Sequence, residues 1–241
     1  MTDHRWSVAT APPSGVEIWA IVVAAGSGLR FGGGIAGIAK QYLPLGGSRV
    51  LDHSLALMRE RCGERVVLVV RADRVDDPEP GAGIIVCGGP TRTDSVRAGL
   101  AAVGPTASVI LVHDAARPLV PVEVIDRLIR AITDGADGAV PGVTVVDTVK
   151  IIDDAGAVVA TPPRSLLRAV QTPQAFRADV LRQVLVEGAD ATDDAALVEL
   201  AGGRVVVVDG DPLARKITTD DDLEWLSEQL RLRFVNPRTA P

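Results

Sequence analysis

Residues 21–34 read IVVAAGSGLRFGGG, and this stretch decides the fold class. Five apolar residues, Ile21 to Ala25, run straight into Gly26-Ser27-Gly28, as a buried strand runs into a phosphate-binding turn. That junction opens α/β sheets whose ligands lie outside the carboxyl ends of the strands. Two cations set this turn apart: Arg30 stands inside it, and Lys40 follows a further glycine run at 32–34. A dinucleotide-binding turn needs neither, because its helix N-terminus already holds the pyrophosphate. No Gly-Lys-Ser/Thr ends the loop, so it is not a Walker loop either. A glycine loop with both cations suits chemistry in which negative charge builds up on phosphorus. The plain alternative is a glycine-rich surface loop with solvated cations.

Outward from this stretch, apolar runs alternate with helical patterns. Strands are expected at about 18–24, 66–70, 84–87, 109–113, 138–146 and 204–208, and helices at 49–61, 93–103, 121–133, 177–187, 193–201 and 219–232. Acidic residues mark several helix starts, among them Asp94, Asp179 and Asp220–Asp222. The pattern predicts an α/β fold, a mostly parallel twisted sheet with helices on both faces. Residues 146–174 interrupt the alternation, reading as strand, Asp-Asp-Ala-Gly turn, strand, Pro-Pro break and strand. A lone two-stranded ribbon is marginal in water, so this β-arm, about 144–172, either lies on the sheet or, as favoured here, reaches out to pair with a second subunit in a homodimer. The expected organisation is a disordered tail at 1–16, one domain at 17–233 and a C-terminal tail at 234–241.

Composition agrees. Hydrophobic residues make up 47% of 241 and aromatics only 3%, so the core must come from Val, Ala, Leu and Ile, as in sheets buried on both faces. Cys62 and Cys87 lack metal-ligand spacing and are expected to be buried thiols in a reducing compartment. No apolar run approaches the roughly 18 residues of a membrane span, and no secretory signal opens the chain, so the cytoplasm is the expected location. A net charge of −6 argues against a nucleic-acid partner, so an anionic ligand must be held by a few local cations. Of 25 basic residues only Lys40, Lys150 and Lys216 are lysine, a hint that a compact ammonium is wanted there.

Three further segments carry chemistry. In CGGPTRTDSVRAGL, 87–100, the backbone at Gly88 and Gly89 with the Ser95 hydroxyl fits the edge of a planar base, or a plain strand-to-helix turn capped by Asp94 and Ser95. In LVHDAARPLV, 111–120, Asp114 ends a central strand, where a carboxylate can orient Mg2+ or accept hydroxyl hydrogen bonds while Arg117 meets an anion. Alternatively the two side chains pair with each other, and His113 is expected to be structural. Lys216, before the last helix, and Thr192, at the head of another, become informative only together with these.

Together the segments AAGSGLRF, KQYLPLGG, GGPTRTDSV, VHDAARP, VDTVK, QTPQAF, ATDDA and RKIT resemble, in order, the 2-C-methyl-D-erythritol 4-phosphate cytidylyltransferase family across residues 17–230. The resemblance implies a Rossmann-like nucleotidyltransferase, dimeric through its β-arm, that joins CTP to a polyol phosphate with a divalent cation, usually Mg2+. It implies that Arg30 and Lys40 stabilise the α-phosphorus, and that Gly26 and Gly28 line the triphosphate. Ala24, Ala25, Gly88, Gly89 and Ser95 complete the nucleotide site. Asp114, Arg117 and Thr148 would meet the polyol, and Arg164, Thr172, Thr192 and Lys216 its phosphate, with Thr148 and Arg164 serving the active site of a second subunit. Asp114 is also the metal candidate. The attacking phosphate monoester has a second pKa of about 6, so no general base is needed.

The chain departs from the family at Pro90, where an acid often follows the glycines, and at Ala39, where proline often precedes the lysine. The glycine-rich stretch between Arg30 and Lys40 is also longer, which suggests a lid. A cytidylyltransferase for ribitol 5-phosphate, or a nucleotide-binding regulatory module without turnover, are the alternatives. An NAD-dependent oxidoreductase fits poorly, because the nearest acid past the glycines is Asp52.

Overall fold

The computed structural model describes residues 15–26, 38–186 and 193–235, with side chains to 233. Gly28, Arg30, the glycine-rich stretch to Gly37, Thr192 and most of both expected tails lie outside the described residues.

In chain order the strands are β1 (Ile18–Val23), β2 (Pro44–Leu45), β3 (Ser48–Arg49), β4 (Val66–Val70), β5 (Ile84–Cys87), β6 (Val109–Asp114), β7 (Gly138–Thr144), β8 (Ile151–Ile152), β9 (Val158–Ala160), β10 (Arg168–Val170), β11 (Gln174–Arg177) and β12 (Val205–Asp209). The helices are α1 (Val50–Cys62), α2 (Arg92–Ala101), α3 (Val122–Thr133), α4 (Ala178–Val184), α5 (Asp194–Leu200) and α6 (Asp220–Val235). Eight strands form one sheet in the order β10-β7-β11-β6-β1-β4-β5, with β12 paired to β7. β1 lies parallel to β4 and β6, and β5 lies parallel to β4. Val23 pairs with Val69 and Asp114, and Val70 with Cys87, so four carboxyl ends share one edge.

Alternation along the strands builds two cores. Ile18, Ala20, Val22, Leu68, Val70 and Leu111 pack under α1 and α3, which bring Leu55, Met58, Ile125 and Leu128. Ile21, Val67, Val69, Ile110 and Val112 face the other way, against Val96 and Leu100 of α2, Leu181 of α4 and Val198 of α5. All five residues of β4 are inaccessible, and burial of each such valine contributes about 1.5–3 kcal/mol. A third cluster seats α6, through Leu226 and Leu230, on Leu43, Leu45, Leu119 and Ile217. Gly46 is forced here: its φ is +59°, and a Cβ would stand 2.1 Å from Leu230 Cδ2.

The sheet is mostly parallel, as expected, with two strands that run the other way: β11 is antiparallel to both β6 and β7, and β10 is antiparallel to β7. QAFR is too short and too polar at its ends to announce a strand; its pairing partners impose it. Cys62 is buried and its thiol is pushed up to about 12 by that burial, but Cys87 is exposed, because β5 is an edge strand and Cys87 ends it. Residues 145–167 do carry a ribbon, β8 against β9, as a separate two-stranded sheet. Ile151, Ile152, Val158 and Val159 on it are all exposed. No helix among the described residues is long and apolar enough to cross a membrane.

Candidate active site

The carboxyl edge of the sheet gathers four segments far apart in sequence. Gln41, buried in a short turn at Lys40–Tyr42, donates from Nε2 to the carbonyls of Ala24 (2.7 Å) and Gly26 (3.1 Å), tying that turn to the start of the glycine loop. Lys40 Nζ donates to the carbonyl of Ile217 at 2.9 Å. The Ile217 amide in turn donates to the Ala116 carbonyl at 2.9 Å, and Arg117 Nη1 donates to the Ala214 carbonyl at 2.6 Å. From below, the Ser54 hydroxyl of α1 donates to the Ala115 carbonyl at 3.0 Å. The turns at 40–41, 114–117 and 214–217 are thus mutually stapled beside Gly26.

Asp114 is the electrostatic centre. Its Oδ2 accepts from Lys216 Nζ at 2.6 Å and its Oδ1 from Arg92 Nε at 3.3 Å. Burial pushes its pKa up, but Arg92 and Lys216 together outweigh burial and hold the carboxyl well below the usual range. Arg92 also reaches Asp194, Nη1 to Oδ2 at 2.7 Å. Burial raises the Asp194 carboxyl, and Arg92 offsets only part of that rise. The expected alternative, Asp114 paired with Arg117, is not what forms. Arg117 spends one donor on Ala214, and its buried Nε has no hydrogen-bond partner among the described residues.

A second chain of bonds fixes this turn. The Asp114 amide donates to Thr172 Oγ1 at 3.0 Å, and Thr172 Oγ1 lies 3.3 Å from His113 Nδ1. His113 Nε2 lies 3.1 Å from the Arg117 carbonyl, which can only accept, so Nε2 carries the proton. Burial drives the imidazole down to about 4, so it is neutral near pH 7 and Nδ1 accepts from the Thr172 hydroxyl. His113 is structural, as expected. Gln174 Nε2, two residues beyond Thr172, donates to Asp193 Oδ2 at 2.9 Å.

The nucleotide candidates form a second group. A Cβ on Gly88 would stand 2.5 Å from Ala25 Cβ and 2.8 Å from Ser95 Oγ, so Ala25, Gly88 and Ser95 adjoin one another. A Cβ on Gly89 would stand 2.3 Å from that of Asp94. Both glycines therefore answer a packing demand of the chain itself. Thr91 is the N-cap of α2, with Asp94 completing a capping box, while the Ser95 hydroxyl donates to the Thr91 carbonyl at 2.9 Å. Ala24 is buried, its amide on the Val69 carbonyl.

Thr148 and Arg164 are exposed in the excursion after β7, where Arg164 Nη1 donates to the Val146 carbonyl at 2.8 Å. Arg92, Gln41 and Asp194 are the residues that sequence reasoning passed over. Arg92 and Gln41 stood inside quoted segments, but nothing local said what they would touch. Among the described residues no three His, Cys, Asp or Glu side chains gather as a metal set. A metal at Asp114 would find this one carboxylate among the described residues and would share it with Lys216 and Arg92, each of which bonds one of its oxygens.

Comparison with known proteins places the chain in a family. The family model for 2-C-methyl-D-erythritol 4-phosphate cytidylyltransferase matches residues 18–231. Curated relatives of that name include one from Nocardia farcinica, 46% identical over 220 residues, covering 89% of this chain and 94% of the relative. Another, from Rhodococcus jostii, is 45% identical and covers 85% of this chain and 91% of the relative. Among solved structures, the cytidylyltransferase of that name from Thermus thermophilus superposes with a TM-score of 0.74 at 32% identity, covering 90% of this chain and 100% of the other.

Proposed function

The chain belongs to the 2-C-methyl-D-erythritol 4-phosphate cytidylyltransferase family, and we propose that it joins CTP to 2-C-methyl-D-erythritol 4-phosphate, giving 4-diphosphocytidyl-2-C-methyl-D-erythritol and pyrophosphate for isoprenoid precursor synthesis. The observation that carries the reading is the meeting of two of the three lysines. Lys40 bonds the carbonyl of Ile217, the neighbour of Lys216, and Lys216 bonds Asp114, all at the carboxyl edge beside Gly26.

In this reading a phosphate oxygen of the polyol substrate attacks the α-phosphorus of CTP. A new P–O bond forms there, and the bond to the bridging oxygen breaks, so pyrophosphate leaves with that electron pair. The nucleophile is ionised near neutral pH, its second pKa being about 6, so no side chain need take a proton. The difficulty is to bring a dianion up to an anionic triphosphate, and fixed cations relieve that repulsion. Arg30 and Lys40 face the α-phosphorus; Gly26 and Gly28 line the triphosphate. Ala24, Ala25, Gly88, Gly89 and Ser95 hold the nucleoside. Asp114 accepts from polyol hydroxyls and Arg117 donates to them. Lys216, Thr172 and Thr192 position the phosphate. Transfers of this class generally use a divalent cation. Thr148 and Arg164 act at the site of a second copy, reached by pairing of the exposed ribbon at about 144–172 in a homodimer. The apolar, exposed Ile151, Ile152, Val158 and Val159 support that pairing.

The test is pyrophosphate release with each of the four nucleoside triphosphates and with methylerythritol phosphate or ribitol 5-phosphate. Turnover with CTP and methylerythritol phosphate is expected. Turnover of ribitol 5-phosphate alone would move the assignment to the other polyol, and CTP binding without release would make the chain a regulatory module.

A further inference from the structure

Four charged groups form a row with alternating sign: Asp194, Arg92, Asp114 and Lys216. They are joined by contacts of 2.7, 3.3 and 2.6 Å. The two ends differ. The Lys216 side chain is 37% exposed, whereas that of Asp194 is 1% exposed. Among the described residues Asp194 Oδ1 is buried with no hydrogen-bond partner. A carboxylate buried so completely and only half satisfied is costly, and it is retained only where its one bond holds something in place. Its one bond is to Arg92.

We propose that Asp194 is a positioning residue that anchors Arg92, making Arg92 the standing counter-ion of Asp114 while Lys216 is released to the polyol phosphate. The inference rests on the reading that Asp114 and Lys216 receive that substrate. An arriving phosphate dianion competes with Asp114 for the nearest mobile ammonium, and Lys216, 37% exposed against 29% for Arg92, is the more accessible cation of the row. Once Lys216 turns to the phosphate, Asp114 would stand almost uncompensated in a buried position. Arg92 prevents that, provided it does not itself swing to the phosphate, and a guanidinium is the better phosphate ligand. Asp194 removes that freedom. The planar fork is needed as well, because Nε faces one carboxylate and Nη1 the other. A lysine could not span both.

The test compares wild type with Asp194→Asn, Arg92→Lys and the double variant, measuring kcat and KM for both substrates. Each single variant should raise KM for the polyol phosphate about tenfold while KM for CTP stays within about twofold. The double variant should do no more than either single one, because the two residues act as one unit. A purely structural role lowers the folded fraction and hence apparent kcat, but moves neither KM. Should Asp194→Asn fold poorly, Arg92→Lys gives the same readout. Unchanged polyol phosphate KM in both single variants, or additive effects in the double, overturns the inference while leaving cytidylyl transfer intact. If the wild type turns over no polyol phosphate, the functional reading and this inference fall together.

Discussion

Acidification should destabilise this protein through His113 before most carboxylates are protonated. The imidazole is inaccessible, with Nε2–H on the Arg117 carbonyl and Nδ1 accepting from Thr172. Burial sets its folded pKa at about 4, against about 6.5 in the unfolded chain. The folded value is the lower one, so the unfolded state binds the proton more readily. The stabilisation is therefore complete above about pH 6.5 and is lost as pH falls towards 4. At roughly 1.4 kcal/mol per tenfold change the whole gap corresponds to ~3 kcal/mol, of which ~2 kcal/mol is lost between pH 7.5 and 5. Urea unfolding of wild type and His113→Gln at pH 7.5, 6.5 and 5 isolates this contribution. Glutamine can still donate to the Arg117 carbonyl but cannot be protonated, and other titrations cancel in the difference. Wild type should lose about 2 kcal/mol more than the variant over that range. Parallel loss in the two proteins, or an imidazole resonance titrating near its ordinary value, would refute the reasoning.

Lys40→Ala should lower turnover about 10²–10³-fold with a melt like wild type, as should Arg30→Ala, because in the proposed reaction each supplies positive charge to a phosphorus under attack; near-normal turnover in either would count against the assignment. Gly88→Ala forces a Cβ to within 2.5 Å of Ala25 Cβ, so chemical denaturation should show a loss of about 1–3 kcal/mol, together with weaker CTP binding in titration calorimetry. Unchanged stability would mean that Ala25 and α2 do not close on Gly88. Arg164→Ala should raise KM for the polyol phosphate and leave CTP affinity alone; the reverse pattern would remove Arg164 from the polyol site.

The strands at 18–23, 66–70 and 109–114 were legible because each is an apolar run buried on both faces, and the helix starts at Thr91 and Asp220 because capping is local chemistry. β11 was not legible. Gln174 and Arg177 carry no strand signal, and the segment extends only because β6 and β7 leave it a slot. Cys87 was misjudged for a related reason, since sequence does not say which strand will end up at an edge. At the site, Asp114, Lys216 and Thr172 could be singled out by residue type and by resemblance. Arg92 could not, because a cation in the first turn of a helix looks unfavourable until Asp114 and Asp194, 22 and 102 residues away, are brought to it.

The excursion after β7 returns to the very strand it left. Thr144 pairs with Arg168 and Gly142 with Val170, so residues 145–167 hang from a closed neck. Beyond that neck, Gln171 is clamped by the Pro141 carbonyl and by Asp211, which holds Thr172 against Asp114 whatever the hanging segment contains. The hanging segment is thus a cassette. It can lengthen, shorten or exchange its apolar face for a polar one without shifting the threonine at its root.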